Sequence, residues 1–346
     1  MLTPPVDLNP DDLRDAVERA WGVDVDSLEY LPIGFGSHHW VATDNLGGRH
    51  FVTVDALSPD SRDGDEVSIR GLHLRRAMTA AADLRACGCE FVVAPTATMD
   101  GDPFSLFGTY VVALFPFIEG RIIEGRSFAI EDSFARADLT QVIEIVAALH
   151  KVPITSIRTP AADDFVVPWL DQLDQLDLFM NVQAGASGPY GATATQLLVD
   201  NEGEIRRLTD RYRSLLAQYL SNPGPVVVTH GEIHPGNVIA TTNGWMIVDW
   251  DTVLIGPPER DLWNLASANG SDFRDYAHAT GVTPNLLLIE LYAIRWDLSE
   301  IASFAEEFRL PHEDTEDTRR ALDLLGSVVG GLRNQESQAG SILRVQ

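Results

Sequence analysis

The stretch VVVTHGEIHPGNVIATTNGWMIVDWDTVLIGPPERDLW, Val226 to Trp263, holds an acid, Glu232, shortly after an apolar run and an amide, Asn237, five positions later. A second acid, Asp249, ends the next apolar run, WMIVD. A carboxylate that accepts a hydroxyl proton, with an amide and a carboxylate whose oxygens hold magnesium on a nucleotide, is the minimum set for phosphoryl transfer. His230 and His234 are four apart, a zinc-pair spacing if the segment is helical, but Pro235 and Gly236 break any helix here. Neither a zinc site nor a plain turn explains why Asn237 and Asp249 accompany the acid.

These groups need elements to position them. Residues 9–21 carry a capping Asn9, Pro10 at the first helical position, acids in the first turn and apolar groups at helical spacing, which predicts a short opening helix. LEYLPIGFGSHHWVATDNLGGRHFVTVDAL then reads as three strands joined by Gly turns, an antiparallel meander. A helix is predicted at about 65–86, followed by a strand at CEFVVAP and, after the turn MDGDP, the apolar strand GTYVVALFPFIEGR. From about Glu124 the pattern changes to long helices at 130–152, 201–221, 286–308 and 314–332. The expectation is an α+β chain: a small antiparallel sheet of about five strands with one main helix over 1–118, and a larger, mostly helical part over 119–346.

Composition narrows the function classes. With 51 acidic against 25 basic residues the formal net charge is -26, which excludes general nucleic-acid binding, a task that needs a basic surface, and favours small cations as partners. No window reaches 18 consecutive apolar residues, so no membrane span is expected. Cys87 and Cys89, one residue apart, suit neither an unstrained disulfide nor a four-ligand zinc site. A cytoplasmic protein is the expectation; the oligomeric state stays open.

The spacing of Glu232 to Asn237 equals that of acid to amide in the protein-kinase catalytic loop. THGEIHPGNVI…MIVDWDTVLIGPPERDLW resembles the paired motifs of the aminoglycoside phosphotransferase and choline kinase family, whose fold is bilobal and protein-kinase-like. The resemblance implies ATP (or GTP) and Mg2+, with a small, cationic molecule of the aminocyclitol or aminoglycoside kind as the hydroxyl acceptor. It places Glu232 as the group that receives the substrate proton and Asn237 and Asp249 as magnesium ligands. Gly34, Gly36 and Ser37 fall at the loop over the phosphates, and Phe115 and Phe117 at the hinge beside adenine. Asp261 has a structural role in the family more often than a chemical one. For the acceptor, Trp169, Asp171, Trp263, Trp296, Asp297 and Glu300 offer aromatic faces and acids suited to an amine.

Two positions depart from the family pattern. Thr53 stands in HFVTVDAL where a phosphate-binding lysine is expected, and Glu232 replaces an aspartate. The following helix has no glutamate to pair with a lysine and offers Arg70, Arg75 and Arg76. A guanidinium from that helix, with Arg75 and Arg76 as first candidates, is expected at the phosphates, since its fork suits phosphate oxygens. The alternatives are a kinase of a metabolite alcohol such as an amino sugar, choline or a nucleoside, and a nucleotide-binding protein that has lost catalysis with its lysine.

Overall fold

The structure, a computed structural model, describes residues 1–34, 36–57, 69–122, 136–158, 161–168, 170, 187–265 and 271–332. Trp169 and Asp171, and the opening residues of the helices predicted at 65–86 and 130–152, lie outside the described residues. Two compact units emerge: Met1–Ile123 with Val152–Ala161 and Gly236–Leu254, and Glu124–Lys151 with Ala162–Pro235 and Ile255–Gln346.

The first unit opens with helix α1, Pro10–Trp21, whose first turn is capped by the Asn9 side chain accepting from the Asp11 amide at 2.8 Å. Strands β1 (Val25–Leu31), β2 (His38–Asp44) and β3 (Arg49–Ala56) form the meander. Helix α2, Ile69–Ala86, precedes β4 (Ser105–Phe107) and β5 (Tyr110–Pro116), and the five strands pair antiparallel in the order β1-β2-β3-β5-β4. The period of two divides the faces. Trp40, Ala42, Val52, Val54, Val112 and Leu114 pack on Leu13, Val17 and Trp21 of α1. On the other face Val111 and Ala113 meet Leu74 and Met78 of α2, so Phe51, Thr53 and Asp55, offset by one from Val52 and Val54, belong to that second face.

The segment CEFVVAP is not the fifth strand. It makes one parallel bridge, Val92 to Ile247, and Pro95 has no amide with which to extend it. The fifth strand is instead Ser105–Phe107, a hairpin partner of Tyr110–Pro116. Within the same unit, Val238–Thr241 and Gly244–Ile247 form a hairpin edged by Arg121–Ile122.

The second unit is built from helices Arg136–Leu149, Gly191–Asp200, Glu202–Ser221, Ser271–Thr280, Leu286–Arg309 and Glu316–Gly331. Ile205, Leu208, Tyr212, Leu215 and Tyr219 recur at helical spacing on Glu202–Ser221 and share one core with Leu291, Leu298, Phe304 and Phe308 of Leu286–Arg309. Asn285 caps the latter helix, and a reciprocal Thr315–Thr318 capping box opens Glu316–Gly331. No helix among the described residues is long and apolar enough to cross a membrane.

Candidate active site

In the second unit, the strand Val227–Thr229 delivers the loop His230–His234 that carries Glu232. The loop's backbone is tied to Asp261, whose carboxylate accepts from the amides of His230 at 2.9 Å and Gly231 at 2.5 Å. The same carboxylate bonds His150 Nε2 at 3.0 Å, and His150 Nδ1 bonds the Tyr276 hydroxyl at 2.7 Å. Burial alone would raise the Asp261 pKa, but the His150 hydrogen bond and the charges of His150, His230 and Arg260 outweigh it and hold the carboxyl below its usual value. Two amides and a ring nitrogen thus converge on one buried anion. Asp261 thereby holds the loop's backbone on its path.

Gly231 is required by space. Its φ is 103°, and a Cβ there would stand 2.4 Å from the Arg260 guanidinium. Arg260 donates to Thr229 Oγ1 at 2.9 Å and lies 3.6 Å from Asp163, which also accepts both from Arg295 at 2.7 Å and from the Tyr292 hydroxyl at 3.0 Å. The Glu232 amide donates to His230 Nδ1 at 3.2 Å, and the Glu232 side chain is half-buried. Burial and the neighbouring His230 push the His234 pKa down to about 4, so its ring is neutral at pH 7.

In the first unit, Asn237 and Asp249 flank the hairpin, and the Val248 amide donates to the Asn237 backbone carbonyl at 3.0 Å. The strand before Asp249 is braced by FVV: the Ile247 amide donates to Phe91 O at 2.7 Å and the Val93 amide to Ile247 O at 3.1 Å. Asp249 is held in the left-handed region at φ 65°, a conformation a non-glycine residue adopts only under constraint. A buried amide and a constrained carboxylate give two hard oxygen donors, a set that fits magnesium, which takes one or two protein ligands and completes its octahedron with phosphate and water. Asp251, next to it, bonds Asp249, and its own carboxyl is pushed up first by burial and then by Asp55.

Gly34 and Gly36, both at positive φ, precede Ser37 in the turn into β2. The Ser37 hydroxyl donates to Asp55 at 2.6 Å, and Arg70 of α2 pairs with the same carboxylate at 3.1 Å. Arg75 pairs with Asp102 and lies over the Phe104 ring at 4.6 Å; Arg76 is exposed. Thr53 and His39 are paired across β2 and β3, and Thr53 Oγ1 and His39 Nδ1 are buried without a hydrogen-bond partner among the described residues. Burial drives the His39 pKa to about 4. Phe115 pairs with Phe51 across β3 and β5, and the Arg49 guanidinium covers the Phe117 ring at 3.7 Å.

Among the acceptor candidates, the rings of Trp263 and Trp296 lie 5.8 Å apart in the second unit, and Glu300 follows Trp296 one helical turn later. Burial pushes the Glu300 pKa up to about 7. Asp297 is in the core at 1% exposure. Sequence reasoning did not single out Asp55, His39, Asp163 or the His150–Tyr276 pair. The signal for Asp55 was present, since it stands two residues beyond Thr53 and shares its face.

Residues 72–285 match the phosphotransferase enzyme family. Protein StrN of Streptomyces griseus is 27% identical over 238 residues, which cover 66% of this chain and 68% of that protein. A spectinomycin phosphotransferase solved with ADP and spectinomycin superposes with a TM-score of 0.70 at 15% identity, covering 95% of this chain and 99% of that one. The choline kinase LicA from Streptococcus pneumoniae gives 0.53 at 13% identity, over 94% and 98% of the two chains. Likeness at such identities shows the fold, which is protein-kinase-like. Family match, fold and residues agree: the chain belongs to the phosphotransferase enzyme family and transfers a phosphoryl group to an alcohol acceptor.

Proposed function

We propose that the protein is a cytoplasmic ATP- or GTP-dependent kinase that phosphorylates a hydroxyl of a cationic aminocyclitol- or aminoglycoside-like molecule. The observation that carries the reading is the Asn237–Asp249 arrangement, a buried amide and a constrained carboxylate at the two ends of one hairpin whose backbone is closed by the Val248 amide on the Asn237 backbone carbonyl, with Glu232 five residues before Asn237. Magnesium held by Asn237 and Asp249 would neutralise charge on the nucleotide phosphates. Glu232 accepts a hydrogen bond from the substrate hydroxyl and directs its lone pair at the terminal phosphorus. Its backbone is fixed through the His230 and Gly231 amides on Asp261, so the carboxylate is oriented before the substrate arrives. Trp263, Trp296 and Glu300 supply aromatic faces and a titratable acid for an ammonium group.

The likeness to the choline kinase favours a second acceptor class, simple metabolite alcohols, over the same machinery. Release of ADP should be measured with magnesium over aminocyclitols, aminoglycosides, amino sugars, choline and nucleosides, beside Glu232→Ala and Asp249→Ala. Acceptor-dependent turnover lost in both variants is the expected result. Silence across the panel, with nucleotide still bound, would instead leave a binding protein without catalysis.

A further inference from the structure

A phosphate chain needs a cation, and Lys151, the only lysine in the sequence, belongs to the second unit. In the first unit the charge must come from arginine. Asp55 is 5% exposed and sits on the sheet face that α2 covers, where it accepts from Ser37 and Arg70. The Arg70 side chain, by contrast, is 50% exposed, and a single hydrogen bond to Asp55 leaves most of its five donors unused among the described residues. The pair is neutral by itself but directional, and the other acid whose charge reaches it, the buried Asp251 carboxyl, is pushed up by burial and by Asp55. Its anion is buried in the sheet and its cation faces outward, so an anion reaching this face meets the guanidinium first.

Beside it, Thr53 Oγ1 and His39 Nδ1 form a second, independent observation. Buried polar atoms in folded proteins almost always have partners, and these two neighbours across β2 and β3 have none among the described residues. Both can donate to an oxygen, His39 with its proton on Nδ1. Burial keeps the imidazole neutral at pH 7, so it contributes a dipole rather than a charge.

We propose that Arg70, anchored by Asp55 and through it to Ser37 of the glycine turn, is the cation that binds the nucleotide's phosphates, with Thr53 and His39 as neutral oxygen-binding partners. The ion pair between β3 and α2 thereby has its acid on the strand and its base on the helix, the reverse of a strand lysine with a helix glutamate. Arg75 differs in its partners: among the described residues it pairs with the exposed Asp102 and lies over Phe104, not with β3 or the glycine turn. The inference rests on the kinase reading for the identity of the anion.

The test is calorimetric binding of ATP, GTP and adenosine with magnesium to the full chain. Arg70→Ala should weaken ATP on the order of tenfold or more, the loss of one charged hydrogen-bonding group, while adenosine binding is unchanged. Thr53→Lys in the Arg70→Ala background should recover most of the affinity. Arg85→Ala, at the far end of α2, should match the wild type. Should Arg70→Ala fail to fold with Asp55 left bare, the Asp55→Asn/Arg70→Gln pair keeps the shape without the charges and should show the same selective loss. An ATP affinity unchanged in these variants, an equal loss for ATP and adenosine, or a loss seen only in Arg75→Ala or Arg76→Ala overturns the proposal while leaving the kinase reading intact. A wild type that binds neither ATP nor GTP sinks both.

Discussion

Replacing Glu300 by Gln should remove a pH dependence that the wild-type protein carries. Burial lifts the Glu300 pKa from 4.5 to about 7, with no hydrogen bond or ion pair among the described residues to offset it. Between those two values the folded protein holds a proton that the unfolded chain has released. Stability from this group is therefore complete below pH 4.5 and is lost as the pH rises through 7. At about 1.4 kcal/mol per pKa unit the loss reaches about 3 kcal/mol, an upper limit because the residue keeps part of its surface in water. Glu307, two turns further along the same helical face and also raised to about 7 by burial and by Asp317, adds a similar slope to wild type and variant alike. Urea unfolding of both proteins at a series of pH values from 4.5 to 8.5 isolates the Glu300 share. Set equal at the acidic end, the curves should diverge until Glu300→Gln is more stable by about 2–3 kcal/mol above pH 8. Parallel curves would refute the burial argument. A cationic acceptor bound beside Trp263 and Trp296 should reverse the effect, holding the carboxylate charged and releasing a proton that calorimetry in buffers of different ionisation enthalpy detects.

Gly231→Ala should cost about 2 kcal/mol or more, since a side chain at φ 103° is strained and its Cβ meets the Arg260 guanidinium; an unchanged melting temperature would contradict this. His150→Phe leaves Asp261 as a buried anion short of a partner, at a cost of about 3 kcal/mol. Hydrogen exchange at the His230 and Gly231 amides should quicken in that variant, and normal protection there would dissociate Asp261 from the loop. Tyr292→Phe removes one donor from Asp163 and should cost about 1–2 kcal/mol by chemical denaturation, less than Arg295→Met, which removes the nearer of its two charge partners; the opposite order would show that the hydroxyl and not the guanidinium carries the network.

What could be read from the sequence was what local chemistry dictates. The period of two in HFVTVDAL fixed both the strand and its two faces, and Asn9-Pro10 fixed the start of α1, because side-chain direction and capping depend on near neighbours. CEFVVAP misled for the same reason in reverse: its apolar run is real, but it is used to brace Ile247 beneath Asp249, a partner more than 150 residues away that no local pattern announces. Asp261, His150 and Tyr276 are likewise joined only by the fold, across separations of 111 and 126 residues. The position of the missing lysine shows where a sharper reading was open. Looking for the lysine's substitute by residue type led to the arginines at 75 and 76, whereas strand geometry places Asp55 on the face of Thr53 and so calls for a cation near the start of α2. A buried acid on that face demands a base beside it more strongly than an absent lysine demands a replacement, because an unpaired buried charge costs several kcal/mol while an absent side chain costs nothing until ligand arrives. Arg70 answers the first demand in the folded protein, and the selective loss of ATP over adenosine decides whether it answers the second.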